Sequence, residues 1–291
     1  MVEKQAVIKK YGLIDTDLAE IKQLADLCNS TEGLALKLNW NVLRARRTDQ
    51  LNDFFYYDQG LPVGYLALFS FSRREAEVSG MVHPQYRRRG IFSQLLHAAQ
   101  AECRQRGFSR LLPIVERISV SGQAFVRHLT ATRDHSEYRM DLQEPRIPAT
   151  FNSQLRFRRA RVEDAPALAH ITALAFGIPE NEVNWYTKNL TEESKSRYYV
   201  GTLDDRVIGK IDVALDEYEA FIYGFAVLPE HQHKGYGRQI LAHALQEILA
   251  AGQRKITLEV ETENEQALGL YQSCGFRITT IYDYYSLPLE H

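Results

Sequence analysis

The chain has 291 residues, 45% hydrophobic and 25% charged, with a formal net charge of −2. That length accommodates two domains of common size, each with its own core, and the near-neutral charge gives no bulk electrostatic case for a nucleic-acid or membrane partner. The scattered Cys28, Cys103 and Cys274 argue against a disulfide framework, and with no signal-peptide pattern after Met1 and no bilayer-length apolar run the expected location is the cytoplasm.

In chain order, Val7–Tyr11 reads as a strand and Asp17–Leu27 as a helix, with Leu18, Ile21, Leu24, Ala25 and Leu27 at helical spacing. Phe54–Tyr57 and Pro62–Phe71 form a hairpin turning at Asp58-Gln59-Gly60. Glu77–Val82 is the next strand. A helix after Gly90 carries Ile91, Leu95, Leu96 and Ala99 on one face and closes at Gly107. Ser109–Val115 follows as a strand and Gly122–Leu129 as a short helix. The polar, proline-bearing stretch from Glu144 to Ser153 suits a linker.

The same order then repeats. Leu155–Ala160 is a strand, and Glu163–Phe176 is a helix with Pro166 near its first turn. Arg197–Leu203 and Arg206–Leu215 pair across Asp204-Asp205, and Glu219–Val227 is the strand after them. The helix from Gly237 carries Ile240, Leu241, Ala244, Leu245, Ile248 and Leu249 on one face and ends at Gly252. Lys255–Val260, Glu265–Ser273 and Arg277–Leu287 complete the copy as strand, helix and strand. Each half is mixed α/β.

The punctuation of this repeat carries chemistry. Gln232-His233-Lys234-Gly235-Tyr236-Gly237-Arg238 joins a strand to a helix, and it aims free backbone N–H groups at one point where a diphosphate would sit. Val82 and Arg87-Arg88-Arg89-Gly90-Ile91-Phe92 lie 145 residues earlier in the same context. On composition alone the arginines are a solvated loop; the glycine and helix start that follow favour a phosphate clamp. His231 and His233 have no third ligand at suitable spacing, so no metal is expected.

These residues resemble the GNAT N-acetyltransferase superfamily, and the tandem order resembles the double-GNAT proteins of the mycothiol-synthase type. The family loop, Gln/Arg-x-x-Gly-x-Gly/Ala, is matched throughout by Gln232, Gly235 and Gly237; in the first half Arg87 and Gly90 match and Phe92 departs. The family's second motif appears as Asn264, Ala267, Tyr271 and Gly275-Phe276. Its first-half counterpart is expected over Ser121–His128, with Ser121 in place of the asparagine and His128 in place of the tyrosine. The resemblance implies an α/β fold of two tandem acyl-CoA transferase domains: a degenerate one over 1–145, a linker over 146–154 and a catalytic one over 155–291.

It further implies acetyl-CoA as the acyl donor, without a metal. The glycines let backbone approach the diphosphate, with Lys234 or Arg238 adding charge. Backbone groups of Phe225 and Val227 would pair with the pantetheine amides, although both side chains also suit a core. Tyr271, otherwise a core residue, is placed as the acid beside the sulfur. Asn264 either bonds the cofactor or caps the helix after it. Glu219 is the candidate base for the attacking amine; an exposed strand-end carboxylate is its plain alternative, and Glu259, Glu261 and Tyr223 stay open. The first half is expected to bind acetyl-CoA weakly or not at all through Val82, Arg87, Arg88, Arg89 and Gly90. The expected function is N-acetylation of a small-molecule or peptide amine by a monomer or dimer; the competing reading is a non-catalytic acyl-CoA sensor.

Overall fold

The computed structural model describes residues 6–71, 74–148, 151, 153–190, 196–217 and 219–290; residues 149, 150 and 152 of the expected linker and the segment after Met1 lie outside the described residues. The chain divides into two compact units. One comprises Met1–Glu137 with Thr280–His291, the other Tyr138–Thr279. The repeat in the sequence places its boundary at the 146–154 segment instead.

The first unit runs β1 (Ala6–Tyr11), α1 (Asp15–Glu32), α2 (Trp40–Arg44), β2 (Leu51–Asp58), β3 (Leu61–Phe69), β4 (Glu75–Val82), α3 (Ile91–Gln105), β5 (Arg110–Glu116), α4 (Val120–His128) and the first part of β6 (Thr132–Leu142). Its strands pair in the order β1-β2-β3-β4-β5, antiparallel except for β4 with β5. Alternation along β3 sorts the two faces. Leu66 and Leu68 meet Ile91, Leu95, Leu96 and Ala99 of α3, while Tyr65, Ala67 and Phe69 meet Ile21, Leu24, Ala25 and Cys28 of α1. Each buried aliphatic side chain in these stripes is worth roughly 1.5–3 kcal/mol over exposure.

The second unit runs β7 (Arg156–Arg159), α5 (Ala165–Phe176), α6 (Trp185–Asn189), β8 (Ser196–Leu203), β9 (Arg206–Leu215), β10 (Ala220–Val227), α7 (Tyr236–Ala250), β11 (Ile256–Glu261), α8 (Glu265–Ser273) and the start of β12 (Phe276–Pro288). The order β11-β10-β9-β8-β7 mirrors that of the first unit, with β10 and β11 the parallel pair. From Thr280 onward β12 belongs to the first unit, where it lies antiparallel to β5 with Tyr282 opposite Glu116 and Leu287 opposite Leu111.

A single offset of 145 residues superposes β2 on β8, β4 on β10, α3 on α7 and α4 on α8, end for end. The left-handed residues follow the same rule. Gln59, Gly60, Arg88, Gly90, Gly107 and Thr130 correspond to Asp204, Asp205, His233, Gly235, Gly252 and Gly275, all with positive φ. Both hairpins therefore turn through two left-handed residues, which matches strand twist.

Three elements escape the sequence reading: α2, α6 and β6. The helices are each one turn long, too short for a periodic signal. β6 is mostly polar, and several of its charges are paired, among them Glu137 with Lys37 in the first unit and Arg139 with Glu219 in the second. The segment after β6 is not a free tether. Gln143 and Arg146 donate backbone hydrogen bonds to Gly275 and Cys274 at 3.1 and 3.0 Å, Ile147 packs on the second unit's core, and Phe151 stacks 3.9 Å from His243.

Candidate active site

In the second unit β10 follows β11 only as far as Ile222, although both strands continue. Beyond that point the two part. The opening leads into a cleft of about 590 Å³ between β10, the turn before α7, α8 and the end of α5. Its floor begins with Phe225, Ala226 and Val227.

The turn is held from within. Gln232 Nε2 donates to the Val227 carbonyl at 2.9 Å, tying the start of the turn to the end of β10. His233 and Gly235 take φ of 59° and 82°, and α7 starts directly after. The first N–H groups of any α-helix lack partners inside the helix, and this end carries the positive pole of the helix dipole. A helix start of this kind is suited to receive an anion.

Of the residues expected to touch the donor, Phe225, Val227, Gln232 and His233 line the cleft, as do Gly235, Gly237, Arg238 and Asn264. Lys234 and Tyr236 are not among the lining residues. Lys234 Nζ turns back to the Glu230 carbonyl at 2.8 Å, and Tyr236 packs on the unit's core with its ring 6.2 Å from His231. Asn264 is the N-cap of α8, its Oδ1 accepting from the Ala267 N–H at 3.0 Å. Capping and cleft-lining are thus compatible, because the amide nitrogen is not used by the cap.

Tyr271 closes the inner end. It is 7% exposed and packed between Phe225 and Phe276, with ring centroids 6.3 and 6.1 Å away. Burial pushes the phenol well above its usual value. At neutral pH it keeps its proton, the state a hydrogen-bond donor or general acid requires.

Glu219 lies elsewhere. It precedes β10, meets Arg139 at 2.8 Å and Lys255 at 3.3 Å, and is not among the lining residues. Glu259 also faces Arg139, at 3.9 Å. Tyr223 is raised by burial and by the nearby Asp212 carboxylate. Glu261 is exposed at the end of β11.

The end of α5 and the residues that follow it divide. Leu174 and Phe176 line the cleft and are 55% and 49% exposed, whereas Tyr186 is buried with its hydroxyl donating to Asp212 at 2.9 Å. That aspartate and Lys210 escaped the sequence reading. Their signal was present: two opposite charges two residues apart inside the apolar run of β9.

The first unit has a counterpart cleft of about 780 Å³. Val82, Arg87, Arg88 and Gly90 line it; Arg89 does not, its guanidinium bonding the Gln85 carbonyl at 3.1 Å. Arg87 Nε reaches the Val82 carbonyl at 3.2 Å, as Gln232 does in the other copy, and its Nη1 pairs with Glu32 at 2.9 Å.

The structure corrects the alignment of the second motif in this half. Ser119, not Ser121, is the N-cap of α4, accepting from the Gly122 N–H at 3.1 Å. Ser121 instead donates to Glu32 at 3.1 Å. With α4 and α8 in register, Val126, not His128, stands where the second unit has Tyr271. Val126 is buried and offers neither proton nor hydrogen bond. The sequence reading slipped because it matched the serine by type, whereas the cap fixes the register.

The GNAT acetyltransferase family model matches residues 19–125 and again 165–276. Mycothiol acetyltransferase of Mycolicibacterium smegmatis is 25% identical over 94% of this chain and 96% of its own length. The ribosomal protein bS18-alanine N-acetyltransferase of Escherichia coli is 34% identical over 40% of this chain and 78% of its own length. Among solved structures, a GCN5-related N-acetyltransferase from Sphaerobacter thermophilus has a TM-score of 0.80 at 16% identity, covering 98% of this chain and 96% of its own. A tandem GNAT protein of clavulanic acid biosynthesis has a TM-score of 0.77 at 17% identity, covering 99% of each chain.

Proposed function

The chain belongs to the GNAT acetyltransferase family as a tandem, two-domain N-acetyltransferase, and from that premise we propose that its second unit transfers the acetyl group of acetyl-CoA to a primary amine. The observation that carries this reading is the meeting, in one cleft, of the anion cradle at the start of α7 with the buried, protonated Tyr271. When bound, acetyl-CoA supplies the acyl group as an activated thioester.

The chain's own residues do the rest. Backbone N–H groups from His233 to Arg238 hold the diphosphate. The parted stretch of β10 offers the backbone of Phe225 and Val227 to the pantetheine amides, as an added strand would. The amine attacks directly, so a C–N bond forms as the C–S bond breaks. Tyr271 donates to the departing sulfur, and the amine's proton passes to water. Val126 leaves the first unit without the acid, so we assign it no turnover. A likeness that spans both units is to mycothiol acetyltransferases, which supports a small-molecule amine; the apolar rim of Leu174 and Phe176 gives that acceptor a surface.

The test is Tyr271→Phe in the whole protein, read as thiol release from acetyl-CoA against a panel of amines. We expect turnover to fall about 10²–10⁴-fold, the usual worth of a positioned acid, with acetyl-CoA affinity kept in calorimetry. Undiminished turnover would remove Tyr271 from the mechanism. Binding without turnover by the unaltered protein across the panel would favour the sensor reading.

A further inference from the structure

From β2 onward in the first copy and from β8 onward in the second, the described residues agree in every left-handed backbone position except one. Gly224, with φ of +55°, has no left-handed counterpart among the described residues of the first unit. It sits where the pairing of β10 with β9 is interrupted, between Tyr223 and Ala226. In the first unit β3 and β4 pair without interruption from Gly64–Val82 to Phe69–Glu77. Between these strand pairs the bulge is therefore particular to the unit that carries Tyr271, and it includes Phe225, the first strand residue of the cleft.

Behind the bulge lies a buried ion pair. Lys210 is 0% and Asp212 1% exposed, with Nζ and Oδ2 2.8 Å apart. Lys210 Nζ also donates to the Gly224 carbonyl. Tyr186 donates to the same Asp212 oxygen at 2.9 Å, and Thr172 lies 3.0 Å from the Tyr186 hydroxyl, so α5 and α6 brace the pair. A Cβ on residue 224 would meet Asp212 Oδ2 at 2.6 Å and Lys210 Nζ at 2.8 Å. The glycine is thus required twice, by its angle and by the pair pressed against it. In the first unit the equivalent positions are Tyr65 and Ala67. Ion pair, glycine and bulge occur together in the unit that carries the phenol and are missing together in the unit where valine replaces it.

A buried ion pair is weak evidence for stability, since apolar residues of similar volume often do as well. A bulge re-aims backbone and side chains beside a site. We propose that Lys210 and Asp212 are positioning residues of the active site: by capturing the Gly224 carbonyl they set the β10 bulge, and with it the direction in which the strand from Phe225 onward faces the acyl end of the donor. This rests on the reading of the second-unit cleft as the acetyl-CoA site. The diphosphate cradle is built from a different segment, so the pair weighs far more on the rate of transfer than on donor affinity, to which the backbone of Phe225 and Val227 adds only a part.

The experiment compares the whole protein with Lys210→Met/Asp212→Asn, which removes both charges and keeps an acceptor for Tyr186. Calorimetry with acetyl-CoA and thiol release with the amine panel are measured side by side. The expected result is donor affinity within about threefold and kcat lower by about 100-fold, the scale of a reacting group displaced by about an ångström. Turnover within about twofold of the unaltered protein, with the variant folded, would overturn the proposal. Should the variant fail to fold, a crystal structure of the unaltered protein with acetyl-CoA decides: the acyl end lies against the backbone between Gly224 and Ala226, or the proposal falls. If the unaltered protein takes up no acetyl-CoA, the cleft reading itself is lost, an outcome separate from an unaffected variant.

Discussion

At the scale of single residues, the two clefts solve one packing problem in opposite ways. In the second unit an aromatic ring on the strand, Phe225, faces a glycine on the helix; its Cζ lies 3.7 Å from where a Cβ on Gly237 would be. In the first unit the ring is on the helix and the glycine on the strand. Phe92 Cε2 lies 2.7 Å from the Cβ position of Gly80. Phe92 is therefore not simply a lost glycine, because Gly80 makes room for it and Phe125 meets it edge-on at 4.9 Å. Gly80→Ala should destabilise the first unit by roughly 1–3 kcal/mol, the cost of overpacking, since its Cβ would also meet the Tyr65 carbonyl oxygen at 2.5 Å. Chemical denaturation of the purified variant measures this; an unchanged midpoint would mean the ring and strand yield freely.

At the scale of elements, the capped helices and the glycine turns were legible because their residue types act locally. Gly235 and Gly237 announce the turn, and Asn264 announces a helix three residues before Ala267 closes the cap. The slip from Ser119 to Ser121 has the same root, since both serines suit a cap and only the backbone decides. β6 was illegible because its polarity is answered by distant partners. Ser136 is buried there with its hydroxyl donating to Asp283 at 2.7 Å. Arg117 at 2.5 Å and Gln123 at 3.2 Å complete that network within the first unit. Burial opposes the charge of Asp283, but these donors outweigh it and hold the carboxyl below its usual value. Because the folded value is depressed, the network's stabilisation is complete above the unfolded aspartate value of about 3.9 and disappears as pH falls through the folded value. Urea midpoints of the first unit, followed from about pH 5 down to pH 2, should therefore drop less steeply in Asp283→Asn than in the unaltered protein. Parallel slopes would show that Asp283 does not carry the acid limb.

At the scale of the whole molecule, the repeat was visible in the sequence but the division of the chain was not. Nothing local in Thr280–His291 marks it as part of the first unit. The tyrosines at 282 and 284 read equally well as sheet packing anywhere. Their destination is set by partners far away in sequence: Tyr282 donates to the Ala35 carbonyl at 2.7 Å, Tyr284 to Glu137 at 2.5 Å, and Leu289 joins the first unit's core. Removal of residues 280–291 should therefore damage the first unit more than the second. Hydrogen exchange is expected to show lost protection in β5 with α7 still protected. Equal protection of β5 in the shortened chain would contradict the assignment.

A ribosome makes this protein from one end, so the module begun first is the one completed last. Until residues 280–291 emerge, β5 waits with an unpaired margin, the kind of exposed edge that invites wrong partners. The nascent chain must keep that seam open through the synthesis of an entire second module. Fusions or circular permutations that delay or displace the closing segment would lengthen that exposure, and holdase chaperones are the natural guard for it.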